Sequence, residues 1–114
     1  MHRDYRLYLD DILLSIDRIR EYTHELDRER FARDAKTVDA VIRNLEIIGE
    51  ASRNLPEAVK AASVEIEWSK IIALRNILSH EYFGVNHVLL WDVIENKLGL
   101  LEQACRRLVQ EPGL

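Results

Sequence analysis

One cysteine, two prolines and four glycines in 114 residues exclude several kinds of protein at once. A lone thiol, Cys105, forms no intrachain disulfide, so this is not a disulfide-stapled scaffold, and the chain reads as intracellular. Its helical setting among Leu101, Ala104 and Leu108 suggests a buried structural thiol. So few glycines and prolines argue against a turn-rich all-β protein and for long uninterrupted helices. No apolar run approaches the ~20 residues of a membrane-spanning helix. The first residues, Met1-His2-Arg3-Asp4-Tyr5, lack the apolar region of a secretory signal, so the cytoplasm is the expected location. An excess of positive charge is also missing. The formal net charge is -4, which speaks against coating a nucleic acid through a broad basic face. It leaves room for a small basic site that holds one or two phosphates. Without repeats, low-complexity tracts or a linker, positions 1–114 read as one domain.

What the chain does have is helical periodicity. Hydrophobic residues make up 47% of it, enough for a core, yet a chain this short leaves apolar surface that invites self-association. Tyr5, Leu9, Ile12, Ile16 and Ile19 recur at steps of three and four, widened by Tyr8 and Leu13, which predicts a helix over about 3–26. A charged stretch follows, Asp27 to Arg33, read as a connection or short helical turn that Phe31 anchors to the core. The second long helix is expected over 35–54, with Asp34 as N-cap and Val38, Val41, Ile42, Leu45, Ile48 and Leu55 supplying its stripe. Gly49 inside it costs roughly 1 kcal/mol relative to Ala, and its expected use is close approach by another helix.

Pro56 ends that helix and opens a short one over 56–62. A third main helix begins at Glu67 or Trp68, turns Trp68, Ile71, Ile72 and Leu78 inward with Leu74 on the flank, and stops before Gly84. Asn86 is a natural N-cap for a last helix over 87–110. The apolar residues there cover more than one face, so a neighbouring helix or a partner chain should bury part of them. The expected fold is all-α: an antiparallel bundle of four main helices with a short extra turn.

The chemically pointed stretch is Arg75-Asn76-Ile77-Leu78-Ser79-His80-Glu81-Tyr82. A histidine can take a proton from a ribose 2′-hydroxyl, or give one to a leaving 5′-oxygen, near neutral pH. An arginine stays charged, and its planar fork matches phosphate oxygens. A tyrosine can stack on a base or hydrogen-bond a phosphate. Residues five apart on a regular helix differ by about 140° around the axis, so Arg75 and His80 do not share a face there. Three resolutions are open: the helix loosens near its end, the Arg75 side chain swings round, or two copies face each other so that Arg75 of one serves His80 of the other. The last two in combination are favoured. On spacing alone, a surface arginine and a capping histidine are the commoner reading. Asn76 is a candidate for orienting His80 or a phosphate, Ser79 is as readily a surface hydroxyl, and Glu50 is a candidate partner for a motif cation, with a solvated or salt-bridged carboxylate the commoner reading. His2, His24 and His87 show no metal spacing, and Asp10-Asp11 reads as a solvated face, so no metal site and no cofactor are expected.

The stretch 75–82 resembles the Arg-x4-His-x-Tyr motif of the HepT toxins, a branch of the HEPN-domain ribonucleases. Asn44-Leu45-Glu46-Ile47-Ile48-Gly49-Glu50-Ala51 resembles that family's second-helix signature. Trp68 followed by Ile71-Ile72-Ala73-Leu74-Arg75 resembles its approach to the motif, and Val85-Asn86 with Trp91 resembles its tail. The resemblance implies a four- to five-helix HEPN fold and a homodimer with both motifs in one cleft. It implies a metal-independent endoribonuclease, the toxin of a type VII toxin–antitoxin pair, with Arg75 and His80 catalytic. It further implies a minimal nucleotidyltransferase antitoxin (MntA) that transfers AMP to Tyr82. An alternative from a different class is a non-catalytic HEPN module that binds a nucleotide or docks a nucleotidyltransferase.

Overall fold

The structure is a computed structural model that describes residues 3–80 and 86–112, with Ser79 and His80 described in backbone only. Four of the helices start on a side-chain cap that the sequence supplies. Asp4 accepts a hydrogen bond from the Arg6 amide at 2.9 Å and opens α1, Tyr5–Thr23. Leu9, Ile12, Ile16 and Ile19 on α1 are fully buried, as their spacing requires. The helix stops three residues earlier than expected. Thr23 turns its hydroxyl back onto the Ile19 carbonyl at 2.7 Å, and the His24 ring nitrogen donates to the Glu21 carbonyl at 3.0 Å.

Asp27 caps α2, Arg28–Arg33, by accepting from the Arg30 amide, and this short helix carries the fully buried Phe31. Asp34 then caps α3, Ala35–Asn54, accepting from both the amide and the hydroxyl of Thr37. Those two bonds hold the Asp34 carboxyl below its ordinary range. Beyond Pro56 comes α4, Glu57–Ala61, whose Val59 is buried. The Trp68 indole N–H donates to the Lys60 carbonyl at 3.1 Å, tying α4 to the start of α5, Trp68–His80. Trp68 and Leu78 enter the core while Ile71 and Leu74 pack against it. Ile72, expected inward, stands half-buried outside that cluster.

The last helix is not continuous. Asn86 caps it as expected, accepting from Val88 and Leu89, but α6, His87–Asp92, passes into a π-helical turn, Val93–Lys97, before α7, Leu98–Gln110. The wider turn resets the phase of the apolar positions. Before it, Leu90 is buried and Trp91 stacks on Phe31 at 5.4 Å. After it, Leu98, Leu101, Cys105 and Leu108 line one buried stripe, and α7 packs on α1. The doubled apolar face of the sequence is therefore two faces in series, each with its own partner.

The described residues contain helices and no strand, so the protein is an all-α bundle. At its centre α3 packs on α1 along one side and on α5 along another. Cys105 is fully buried, and desolvation pushes its thiol up to about 12, which leaves it protonated and inert. Two short helices, α2 and α4, stand where one extra turn was expected.

Candidate active site

Arg75 lies at the middle of α5, directly over Gly49 of α3. A Cβ built on Gly49 would stand 2.3 Å from the Arg75 Cβ, 3.0 Å from its Cγ and 3.2 Å from the Ile71 carbonyl oxygen. No side chain larger than hydrogen fits there without parting the two helices. The close approach expected of Gly49 is thus made against the motif arginine itself.

The next residue of α3 supplies a counter-charge. The Arg75 Nε stands 3.4 Å from Glu50 Oε2, and its Nη1 donates to Asn76 Oδ1 at 3.1 Å. Glu50 thereby pairs with a motif cation, and Asn76 acts on Arg75. The pair is open to water, with 32% of the Arg75 side chain and 48% of the Glu50 side chain exposed. Such a pair is worth about 1 kcal/mol or less. It orients the guanidinium without sealing it, and a phosphate dianion or diester can displace the carboxylate.

Arg75 and Glu50 also line a hollow of about 250 Å³ between α1, α3 and α5. Arg3, Tyr8, Arg43 and Asn54 share its wall. Sequence reasoning passed over these residues because no motif contains them. The signal available was the second stripe of α3: positions 43, 47, 50 and 54 recur at helical spacing on a side away from the core residues.

The helix stays α-helical through residue 80, so positions 75 and 80 remain about 140° apart around the axis. The stretch just before Gly84, where one of the three resolutions places a loosened helix end, lies outside the described residues. The side chains of His80 and Ser79 and all of Tyr82 lie outside the described residues. His24 and His87 are exposed, as expected of surface residues. Among the described residues no three His, Cys, Asp or Glu side chains converge as metal ligands would, and no described helix is long and apolar enough to cross a membrane.

Residues 12–108 match the family described as "Ribonuclease HepT-like". This chain belongs to the HepT-like ribonuclease family. Among its HepT-like relatives is a "Probable ribonuclease HepT" of Thermococcus cleftensis, 42% identical over 108 residues that cover 95% of this chain and 98% of the relative. A protein of Methanocaldococcus jannaschii provisionally named an RNase, MJ0127, is 41% identical over 84% of this chain and 79% of its own length. A similarly named protein of Caldanaerobacter subterraneus, TTE0752, is 35% identical over 93% of this chain and 95% of its own. No solved structure matches the HepT-like chain at a significant level.

Proposed function

We propose that this HepT-like chain is a metal-independent endoribonuclease toxin that works as a homodimer, with Arg75 and His80 as its catalytic residues. The observation that carries the reading is the seat of Arg75. In a ribonuclease family, a guanidinium is held over a bare glycine, oriented by a weak carboxylate partner and left open at the edge of a polar hollow. A group held this way is preorganised for charge that develops at phosphorus.

In the proposed reaction one His80 accepts the proton of a ribose 2′-hydroxyl while its oxygen attacks phosphorus. Arg75 stabilises the added negative charge. The partner subunit's His80 gives a proton to the departing 5′-oxygen, leaving a cyclic phosphate and a free hydroxyl. The 140° offset between positions 75 and 80 supports a site shared by two chains, because one regular helix does not present both groups to one phosphate. Exposed apolar residues support a second copy packing on this chain. Ile77 on α5 is 50% exposed, Leu89 on α6 is 45% and Leu100 on α7 is 51%, and all three border an apolar groove of about 440 Å³.

Control of the toxin is assigned to a nucleotidyltransferase antitoxin that moves AMP from ATP to the Tyr82 hydroxyl. The adduct brings bulk and a negative phosphate close to the cleft and so excludes RNA by sterics and charge. Purified protein should cut RNA in the presence of EDTA, while Arg75→Ala and His80→Ala fold and do not cut. If neither variant differs from wild type in cleavage or in growth arrest, the catalytic reading fails. Tyr82→Phe should escape the AMP adduct in mass spectra of protein made together with the transferase. An adduct of unchanged yield on that variant would place the modification elsewhere.

A further inference from the structure

We infer that the hollow between α1, α3 and α5 is a subsite for the nucleotide next to the scissile phosphate, with Arg43 holding its phosphate and Tyr8 stacking its base. The inference rests on the ribonuclease reading above, since it takes Arg75 as the point where the strand is cut.

Three guanidinium groups surround this one hollow, and they are not equivalent. Arg75 is held by Glu50 and Asn76. Arg3 bonds Asp11 at 2.7 Å, and its guanidinium carbon lies 4.7 Å from the centre of the Tyr8 ring. Arg43 is exposed and has no ion pair or hydrogen bond among the described residues. In a chain of net charge -4, a free guanidinium on the wall of the same hollow as the motif arginine is a specific place for an anion.

The aromatic wall narrows the choice of anion. Tyr8 is half-buried against the core and braced on α1, with a cation packed on its ring. A nucleobase joined to a phosphate would take the place of the Arg3 guanidinium on that ring, beside the free arginine. Bare inorganic phosphate would make no use of the ring. Asp11, Glu46 and Glu50 also line the hollow, so its cations and carboxylates are equal in number. That balance disfavours a polyanion lying along the whole hollow. It suits one nucleotide, whose single phosphate meets Arg43 and whose base offers N–H donors to the carboxylates.

The test uses the full chain and a labelled single-stranded RNA 12-mer that the wild type cuts. Tyr8→Ala and Arg43→Ala are each expected to raise KM about fivefold to 100-fold, more than they lower kcat, in line with ~1–3 kcal/mol per stacked base. The Arg43→Ala penalty should disappear when the RNA is trimmed to the cleaved dinucleotide, which lacks the flanking phosphate, while the Tyr8→Ala penalty should persist because the base is still there. In a His80→Ala background, binding of the same 12-mer should lose about 0.7 from its logarithmic salt slope with Arg43→Ala, the value for one phosphate on a single strand. Arg33→Ala, at an exposed residue of α2 that does not line the hollow, is the control for general charge loss and should not shift that slope. Arg43 is exposed, so its replacement keeps the test valid if Tyr8→Ala fails to fold. Unchanged KM and salt slope with Arg43→Ala, while Arg75→Ala still abolishes cleavage, would overturn the subsite and leave the ribonuclease reading standing. If wild-type protein cuts no RNA, that reading falls, and an unchanged slope in the binding arm overturns the subsite as well.

Discussion

α3 builds its core face and its site face by opposite means. Into the core it presents bulk: Val41, Leu45 and Ile48 are buried, as are Leu9, Ile12, Ile16 and Ile19 on α1. Toward α5 it presents a missing side chain, Gly49, and a carboxylate, Glu50, and what comes to rest there is an arginine. The first contact is stabilising through apolar area removed from water. The second gives up apolar burial and a good helix former to fix the position of one charged group. A helix that serves both a core and a site divides these duties by face, and the difference predicts how each face should fail.

Substitutions can sharpen that contrast. The largest effect is expected from Arg75→Ala, which removes the positioned charge. Cleavage should drop by about 10²–10³-fold or more, with the melting temperature nearly unchanged because the side chain is partly exposed. Steady-state cleavage alongside thermal melting checks this, and parallel loss of both would move Arg75 to the structural side of the comparison. Ile16→Ala should do the reverse. Emptying a fully buried site costs about 2–5 kcal/mol, read by urea unfolding, while the protein that remains folded cuts at close to its normal rate.

Gly49→Ala should fall between the two. The new methyl meets the Arg75 Cβ, so overpacking costs about 1–3 kcal/mol, and cleavage falls by more than the loss of folded protein explains. Ile48→Val, one residue away on the core side, supplies the matched control. If Gly49→Ala cuts RNA as well as wild type, the glycine is there for packing alone.

The smallest effect concerns acid. Asp34 has a folded pKa below its unfolded value, so its contribution is complete above the ordinary carboxyl range and fades as pH falls through that range. Asp34→Ala should lower Tm by a few degrees at neutral pH, with the difference from wild type closing in acid below the ordinary carboxyl range. A constant difference across that range would show that the cap acts by something other than its charged hydrogen bonds.

Most of the frame was legible in the sequence, for reasons that differ by element. The bounds of α3 match the expected 35–54 because Asp34 and Pro56 are both strong local signals. Phe31 and Cys105 went inside because large apolar side chains and free thiols have few better places. The π-helical turn was not legible as a break. Its apolar residues announced two faces, but only the packing of Trp91 on Phe31 and of α7 on α1 decides where the phase changes. The family motif pointed to Arg75, whereas the reason for its fixed position, 26 residues earlier at Gly49, is a contact between two helices. Arg3, Tyr8 and Arg43 come together only once α1 and α3 are packed, so no local pattern joins them.

The central claim, that Arg75 of one chain and His80 of another act on one phosphodiester, is best tested by mixing two dead enzymes. Arg75→Ala and His80→Ala proteins, each inactive alone, are unfolded, combined and refolded so that mixed dimers form. The account predicts that RNA cleavage returns above the level of either parent but below wild type, because each mixed dimer brings one intact Arg75 and one intact His80 from different chains to one phosphodiester while lacking the second histidine. Mixed dimers confirmed by mass that still cut no RNA would contradict it.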